Sequence, residues 1–165
     1  MALSQDYPDS FWEASRRYGF LPTVRTRLRD VVLHIRRLWF VKVWGMDIHP
    51  LSLISTKAVL DRTYPRGIHI GEGSAISFNA TILTHDHIAG KHTDTWIGRY
   101  CQIGTSSIIM PGIRVGDHSV IGAGAVVVKD VPPRSIVVGN PGKIIRQEIM
   151  TTNWGKITDK GRKAE

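Results

Sequence analysis

The chain has 165 residues, with 22 Lys/Arg against 14 Asp/Glu for a net charge of +8, 42% hydrophobic residues and one cysteine. That length suits one domain with one core, and a single cysteine excludes a disulfide framework or a thiolate metal cluster. The basic excess sits at the ends: residues 1–46 carry eight Lys/Arg to four Asp/Glu and residues 141–165 six to three, whereas 47–140 carry eight to seven. Such a charge fits nucleic acid, an anionic membrane surface or a phosphate-bearing ligand. No nucleic-acid motif is present and the aromatics do not interleave with the basic residues, so nucleic acid is not an expected partner. The longest apolar run, Leu38-Trp39-Phe40-Val41, is too short to span a bilayer, and no signal-peptide pattern opens the chain. A soluble, cytoplasmic protein is expected.

In chain order, residues 1–45 read as an N-terminal helical segment. Val24, Leu28, Val31, Ile35 and Leu38 recur at helical spacing, Val32, Trp39 and Val43 widen the apolar surface, and Arg25, Arg27, Arg29, Arg36, Arg37 and Lys42 fill much of the rest. Two roles suit this pattern. The helix caps whatever follows it, or it lies as a basic amphipathic helix against an anionic membrane.

From residue 46 to 140 the period changes to six. Aliphatic residues stand at Ile97, Ile103, Ile109, Val115, Ile121 and Val127, with glycine directly after four of them, at Gly98, Gly104, Gly116 and Gly122. Four residues after each aliphatic comes a mostly small one: Cys101, Ser107, Ile113, Ser119, Ala125, Val131. The frame extends upstream through Ile70, Ile76 and Ile82 and, more weakly, Ile48, Ile54 and Leu60. Six matches neither a helix nor an alternating strand. It matches short strands joined at regular corners, three to a coil, each coil stacking its aliphatics on the one below. Glycine after the aliphatic suits a corner that needs positive φ or close approach. Cys101 falls on the small inward position and reads as a packed residue.

Two interruptions break the frame: a four-residue phase slip from Tyr64 to Ile70, and an insertion of nine residues between Ile82 and Ile97, expected to form a projecting loop over 88–96. Loops that break a regular stack tend to hold function. At its foot lies Thr84-His85-Asp86-His87, with His92 beyond. After Asn140-Pro141-Gly142 the repeat ends, and residues 141–165 are expected to form a short helix over Lys143–Met150 and a frayed tail.

The segments Ile109-Met110-Pro111-Gly112, Val115 to Gly124, Lys129-Asp130-Val131-Pro132-Pro133 and Val138-Gly139-Asn140-Pro141 resemble the hexapeptide-repeat acyltransferases. The resemblance implies an all-β solenoid wound as a left-handed parallel β-helix, a homotrimer with sites between subunits, and acetyl-CoA as donor with no metal. Met46-Asp47-Ile48-His49-Pro50 and Val59-Leu60-Asp61 are similar to serine acetyltransferases, but Arg62 stands where that branch has its catalytic histidine, and arginine cannot act as a base near neutral pH. The Thr84–His87 segment is similar instead to the galactoside, maltose and polysaccharide O-acetyltransferases. That likeness implies acetyl transfer to a sugar hydroxyl, in a surface polysaccharide or its precursor, with His85 as general base and His87 as second candidate. By the same carry-over, Thr105, Ala123, Lys129, Lys143 and Arg146 are expected to meet CoA, and Asn79 and Asp86 to face the acceptor. Each also has an ordinary reading: a corner asparagine, a solvated aspartate, surface charges. The γ-class carbonic anhydrases share the solenoid, but nothing beyond the clustered histidines points to a metal here. Transfer to an amino sugar, a serine acetyltransferase-like reaction and a non-catalytic scaffold are the alternatives.

Overall fold

The computed structural model describes residue 16 and residues 19–158. The outer parts of the expected N-terminal segment and C-terminal tail, at 1–15, 17–18 and 159–165, lie outside the described residues. Among the described residues a long helix, α1 (Phe20–Lys42), is followed by strands of two to four residues, β1 to β18.

The hexads form strands, and the strands sort into three parallel sheets. The first runs β1 (Asp47–Ile48), β4 (Ile68–Ile70), β9 (Thr95–Ile97), β12 (Arg114–Val115). The second runs β2 (Leu53–Ile54), β5 (Ala75–Ile76), β10 (Gln102–Ile103), β13 (Val120–Ile121), β15 (Ile136–Val138). The third runs β3 (Val59–Leu60), β6 (Thr81–Ile82), β11 (Ile108–Ile109), β14 (Val126–Val127). Each coil gives one strand to each sheet, so the chain winds as a three-sided column with three edges. Register keeps the hexad aliphatics in line: Ile54, Ile76, Ile103, Ile121 and Val137 lie over one another. All are buried. At the corners, inward hydroxyls find carbonyls: Ser74 Oγ donates to Gly98 O at 2.7 Å and Ser107 Oγ to Gly104 O at 2.7 Å.

The glycine after each aliphatic answers to close approach, not to positive φ. A Cβ on Gly104 would stand 2.5 Å from Ile121 O in the next coil, and one on Gly116 would stand 2.4 Å from Pro133 N. Positive φ falls elsewhere, at Asn79, Tyr100, Ser106 and His118 among others.

The two ends of the column are closed differently. The face of α1 that packs is not the apolar stripe: Thr23, Arg37 and Phe40 are buried, while Val24, Leu28, Val31, Ile35 and Leu38 are exposed. The helix does close the open coil, but through its last turns. Phe40 and Met46 join the core, and the Arg36 guanidinium donates to the carbonyls of Ser55 and Ala58, which have no coil beneath to bond them.

The helix expected over Lys143–Met150 is absent. Lys143–Arg146 is a strand, β16, antiparallel to β15. Its β-branched Ile144-Ile145 pair favours strand, and the exposed edge of β15 offers backbone partners directly after the Gly139–Gly142 turn. The chain then runs back down one edge. Arg134 Nε donates to Ile149 O (3.1 Å), and Thr151 Oγ1 to Tyr100 O (2.6 Å). Beyond this, β17 (Thr151–Thr152) and β18 (Lys156–Ile157) make a small hairpin, so this part of the tail is structured. It covers the edge between the first and second sheets.

Candidate functional site

The insertion after β6 folds as an antiparallel hairpin, β7 (His85–Asp86) with β8 (Lys91–His92), standing off the edge between the third and first sheets. Its neck is tied to the column. Thr84 Oγ1 donates to Tyr64 O (2.7 Å), Thr95 Oγ1 to Leu83 O (2.6 Å), and the Tyr64 and His92 rings stack with centroids 5.2 Å apart. Asp86 serves the turn: its Oδ1 accepts the N–H groups of Ile88 and Ala89, both at 2.9 Å.

Asp61, at the end of β3 one coil below, is buried under this neck. Its Oδ1 accepts the Thr63 N–H (2.8 Å); its Oδ2 accepts the N–H groups of Thr84 (2.9 Å) and His85 (3.1 Å) and also meets His85 Nδ1. Burial works to raise the carboxyl pKa, but the Thr84 N–H, the His85 ring and the Thr63 and His85 N–H groups together outweigh it. They hold the group well below the usual carboxylate range. An ionised carboxylate only accepts, so Nδ1 carries the proton and Nε2 of the neutral ring keeps its lone pair. The imidazole is thereby fixed in tautomer and orientation while its side chain stays 30% exposed. Sequence reasoning noted Asp61 only as part of the serine acetyltransferase-like segment. The partnership spans 24 residues and depends on coil stacking, which spacing alone does not reveal.

His87 lies exposed in the hairpin turn; Asp61 bonds His85 and not this residue. Cys101 is fully buried, and burial pushes its thiol up to about 11, which suits a core residue. Arg62 stacks over Trp44, its guanidinium carbon 5.7 Å from the ring centroid.

The residues expected around CoA and acceptor divide between two edges and the end strand of the second sheet. Asn79, Thr105 and Ala123 follow β5, β10 and β13, at the edge between the second and third sheets. Asn79 takes φ 57° there and its N–H bonds Lys57 O. Lys129 follows β14 and shares the other edge with Asp61 and His85. Lys143 and Arg146 lie on β16, beside the second sheet. A cleft of about 450 Å³ opens between α1 and the outer face of β3, lined by Arg36, Phe40, Lys57, Val59, Asp61, Arg62 and Leu83 among others. Among the described residues no cluster of three or more His, Cys, Asp or Glu suits a metal ion.

The family "Bacterial transferase hexapeptide (six repeats)" matches residues 94–129, which run from β9 to just past β14. Over this stretch the chain is similar to the hexapeptide-repeat transferases. It is 29% identical over 148 residues to "Putative acetyltransferase YvoF" of Bacillus subtilis (strain 168), covering 83% of this chain and 84% of that one. It is 36% identical over 108 residues to a serine acetyltransferase of Mycobacterium tuberculosis, covering 62% of this chain but only 46% of that longer protein. Among solved structures, a maltose O-acetyltransferase from Clostridium difficile 630 superposes with a TM-score of 0.56 at 28% identity, covering 68% of this chain and 74% of that one. These relatives are named as acetyltransferases, and the stretch of this chain that the family matches lies within the column.

Proposed function

We propose that this hexapeptide-repeat protein transfers an acetyl group from acetyl-CoA directly to a sugar hydroxyl, in a surface polysaccharide or its precursor, with His85 as general base. The pairing of Asp61 with His85 carries this reading. An imidazole whose Nδ1–H is held by a buried carboxylate presents Nε2 to a hydroxyl and is stabilised as it becomes cationic. As the acceptor oxygen bonds to the thioester carbonyl carbon, Nε2 takes the hydroxyl proton. Collapse of the tetrahedral intermediate breaks the carbon–sulfur bond, and the proton passes to the departing CoA thiolate. No covalent enzyme intermediate is needed, and none of these steps calls on the buried Cys101.

A homotrimer with a left-handed winding belongs to the same reading. The tail occupies one edge of the column, whereas Thr105 and Ala123 lie at the second edge, Lys129 at the third, and Lys143 and Arg146 on β16 at the end of the second sheet. A neighbouring copy that sets its Asn79–Thr105–Ala123 edge against the His85–Lys129 edge of this one would complete a site that neither chain holds alone. Lys129, Lys143 and Arg146 would meet CoA phosphates. The cleft beside Asp61 would receive the acceptor, and its Arg36, Lys57 and Arg62 suit one bearing a negative group. The reaction would run in the cytoplasm.

The test is an acceptor screen that follows thiol release from acetyl-CoA, run beside His85→Ala. Turnover with a sugar acceptor and a loss of about 10²–10⁴-fold in kcat for the variant are expected. Full activity in His85→Ala would sink the mechanism. Alkali treatment of labelled product separates an ester, which hydrolyses, from the amide that an amino sugar would give. Absence of CoA binding and of turnover with every acceptor would favour a scaffold.

A further inference from the structure

The apolar stripe of α1 is the largest feature of the molecule left without a role. Leu21, Val24, Leu28, Val31, Ile35 and Leu38 follow one another at alternating steps of three and four, with Phe20, Val32, Trp39 and Val43 beside them, and all ten are exposed. Leu21 is 77% exposed, Leu28 63% and Ile35 61%. The column does not use this face: the helix rests on β1 and β2 through its opposite side. Continuous apolar surface of this extent is a binding surface.

Charge decides what it binds. Between Phe20 and Lys42 there are six basic residues, Arg25, Arg27, Arg29, Arg36, Arg37 and Lys42, against Asp30 alone, and Asp30 is paired with Arg29 at 3.1 Å. At 3.6 residues per turn, Arg25 and Arg29 border the stripe on one side and Arg27 borders it on the other. If a second copy of the helix lay along the stripe, these borders would bring like charges together, where a stable helix pair places opposite ones. An anionic lipid surface has the matching sign, takes the apolar side chains among its acyl chains, and suits Trp39 and Phe20 at the boundary. No described helix is long and apolar enough to cross a membrane, so the contact lies along the surface.

We infer that α1 seats this protein on an anionic membrane, the stripe from Leu21 to Leu38 entering the headgroup boundary and Arg25, Arg27 and Arg29 meeting lipid phosphates. The inference does not depend on which acceptor the His85 site takes.

Flotation of the full chain with vesicles tests it. Vesicles of equal parts phosphatidylglycerol and phosphatidylcholine should carry the protein at least about tenfold better than phosphatidylcholine alone, and raised salt should release it. Leu28→Glu/Ile35→Glu should abolish flotation, and Arg25→Gln/Arg27→Gln should weaken it several-fold. Both pairs stand in water, so circular dichroism and thiol release with a soluble acceptor should match the parent, which separates this test from that of the His85 mechanism. Equal flotation with neutral vesicles, no flotation by the parent, or full flotation of the Leu28→Glu/Ile35→Glu protein would overturn the inference. A drop in sedimentation mass for that variant, in the absence of lipid, would do so as well, by assigning the stripe to a second copy.

Discussion

The aliphatics at hexad spacing from Ile48 to Val137 and those at helical spacing from Leu21 to Leu38 are chemically alike, yet the first are at most 5% exposed and the second 38–77%. The difference lies in what each row stacks on. A hexad residue has a copy of itself in the coil above and the coil below, so the fold supplies its own burial. A residue on the stripe of α1 has only the outside of its own helix, because the helix spends its opposite face on the column. Periodicity therefore reports that a face is apolar, not which surface covers it.

The largest expected effect follows from that contrast. Ile103→Asp places a carboxylate between the β5 and β13 rows with nothing to pair it, a cost of several kcal/mol set against a total stability of about 5–15 kcal/mol. The protein should fail to fold, read by circular dichroism and solubility. Leu28→Asp, the same chemical change on α1, should leave thermal unfolding unchanged. If both variants unfolded alike, the two rows would not differ as described.

Second in size is the site. His85→Ala should cut kcat by about 10²–10⁴-fold and lower the unfolding temperature only modestly, since Asp61 loses the ring but keeps the N–H groups of Thr63, Thr84 and residue 85. Asp61→Asn should remove most of the activity too, by about 10²–10⁴-fold, because an amide in that place can offer N–H to Nδ1 and favour the wrong tautomer. The pH dependence has a definite sign. The folded-state pKa of Asp61 lies below its unfolded value near ~3.9, so its contribution to stability is complete above that value and is lost as pH falls through the folded value. Asp61→Asn should therefore flatten the acid limb of an unfolding profile taken from neutral pH downward. An unaltered limb would mean that the carboxylate is not held as the geometry requires.

Much of this could be read in advance, and the failures have physical causes. The column was legible because each strand repeats one environment: inward aliphatic, small corner, glycine where the next coil comes close. The site was legible only in part. His85 could be placed at the foot of an insertion, but its partner Asp61 is 24 residues away and is brought near by coil stacking. The strand at Lys143–Arg146 was missed because a four-residue segment carries almost no periodicity, and what makes it a strand is the free edge of β15. At α1 the spacing left capping and membrane contact both open, for the reason already met: an apolar stripe does not say which face of the helix packs.

Third comes a test of why glycine follows the aliphatic. Gly104→Ala sets a Cβ 2.5 Å from Ile121 O, and neither that carbonyl nor the Cα bearing the new methyl can move freely, because neighbouring coils hold the backbone in place. Overpacking of this kind costs about 1–3 kcal/mol, to be measured as a shift in denaturant midpoint. The same change at Gly124, where a Cβ meets nothing within 4 Å but φ is 69°, isolates conformational strain from contact.

The smallest expected effect bears hardest on the comparison. Val31→Ser removes apolar surface from the middle of the stripe of α1. In water that surface touches no packed partner, so the stability should move by less than about 0.5 kcal/mol. A core valine such as Val127 would lose more for the same change, since its methyl groups fill space that serine leaves empty and its hydroxyl would need a partner. A loss beyond about 1 kcal/mol at Val31 in lipid-free solution would show that the stripe is already covered there. The helix would then be part of the protein's own assembly, and the contrast with the coils would become one of which chain provides the cover.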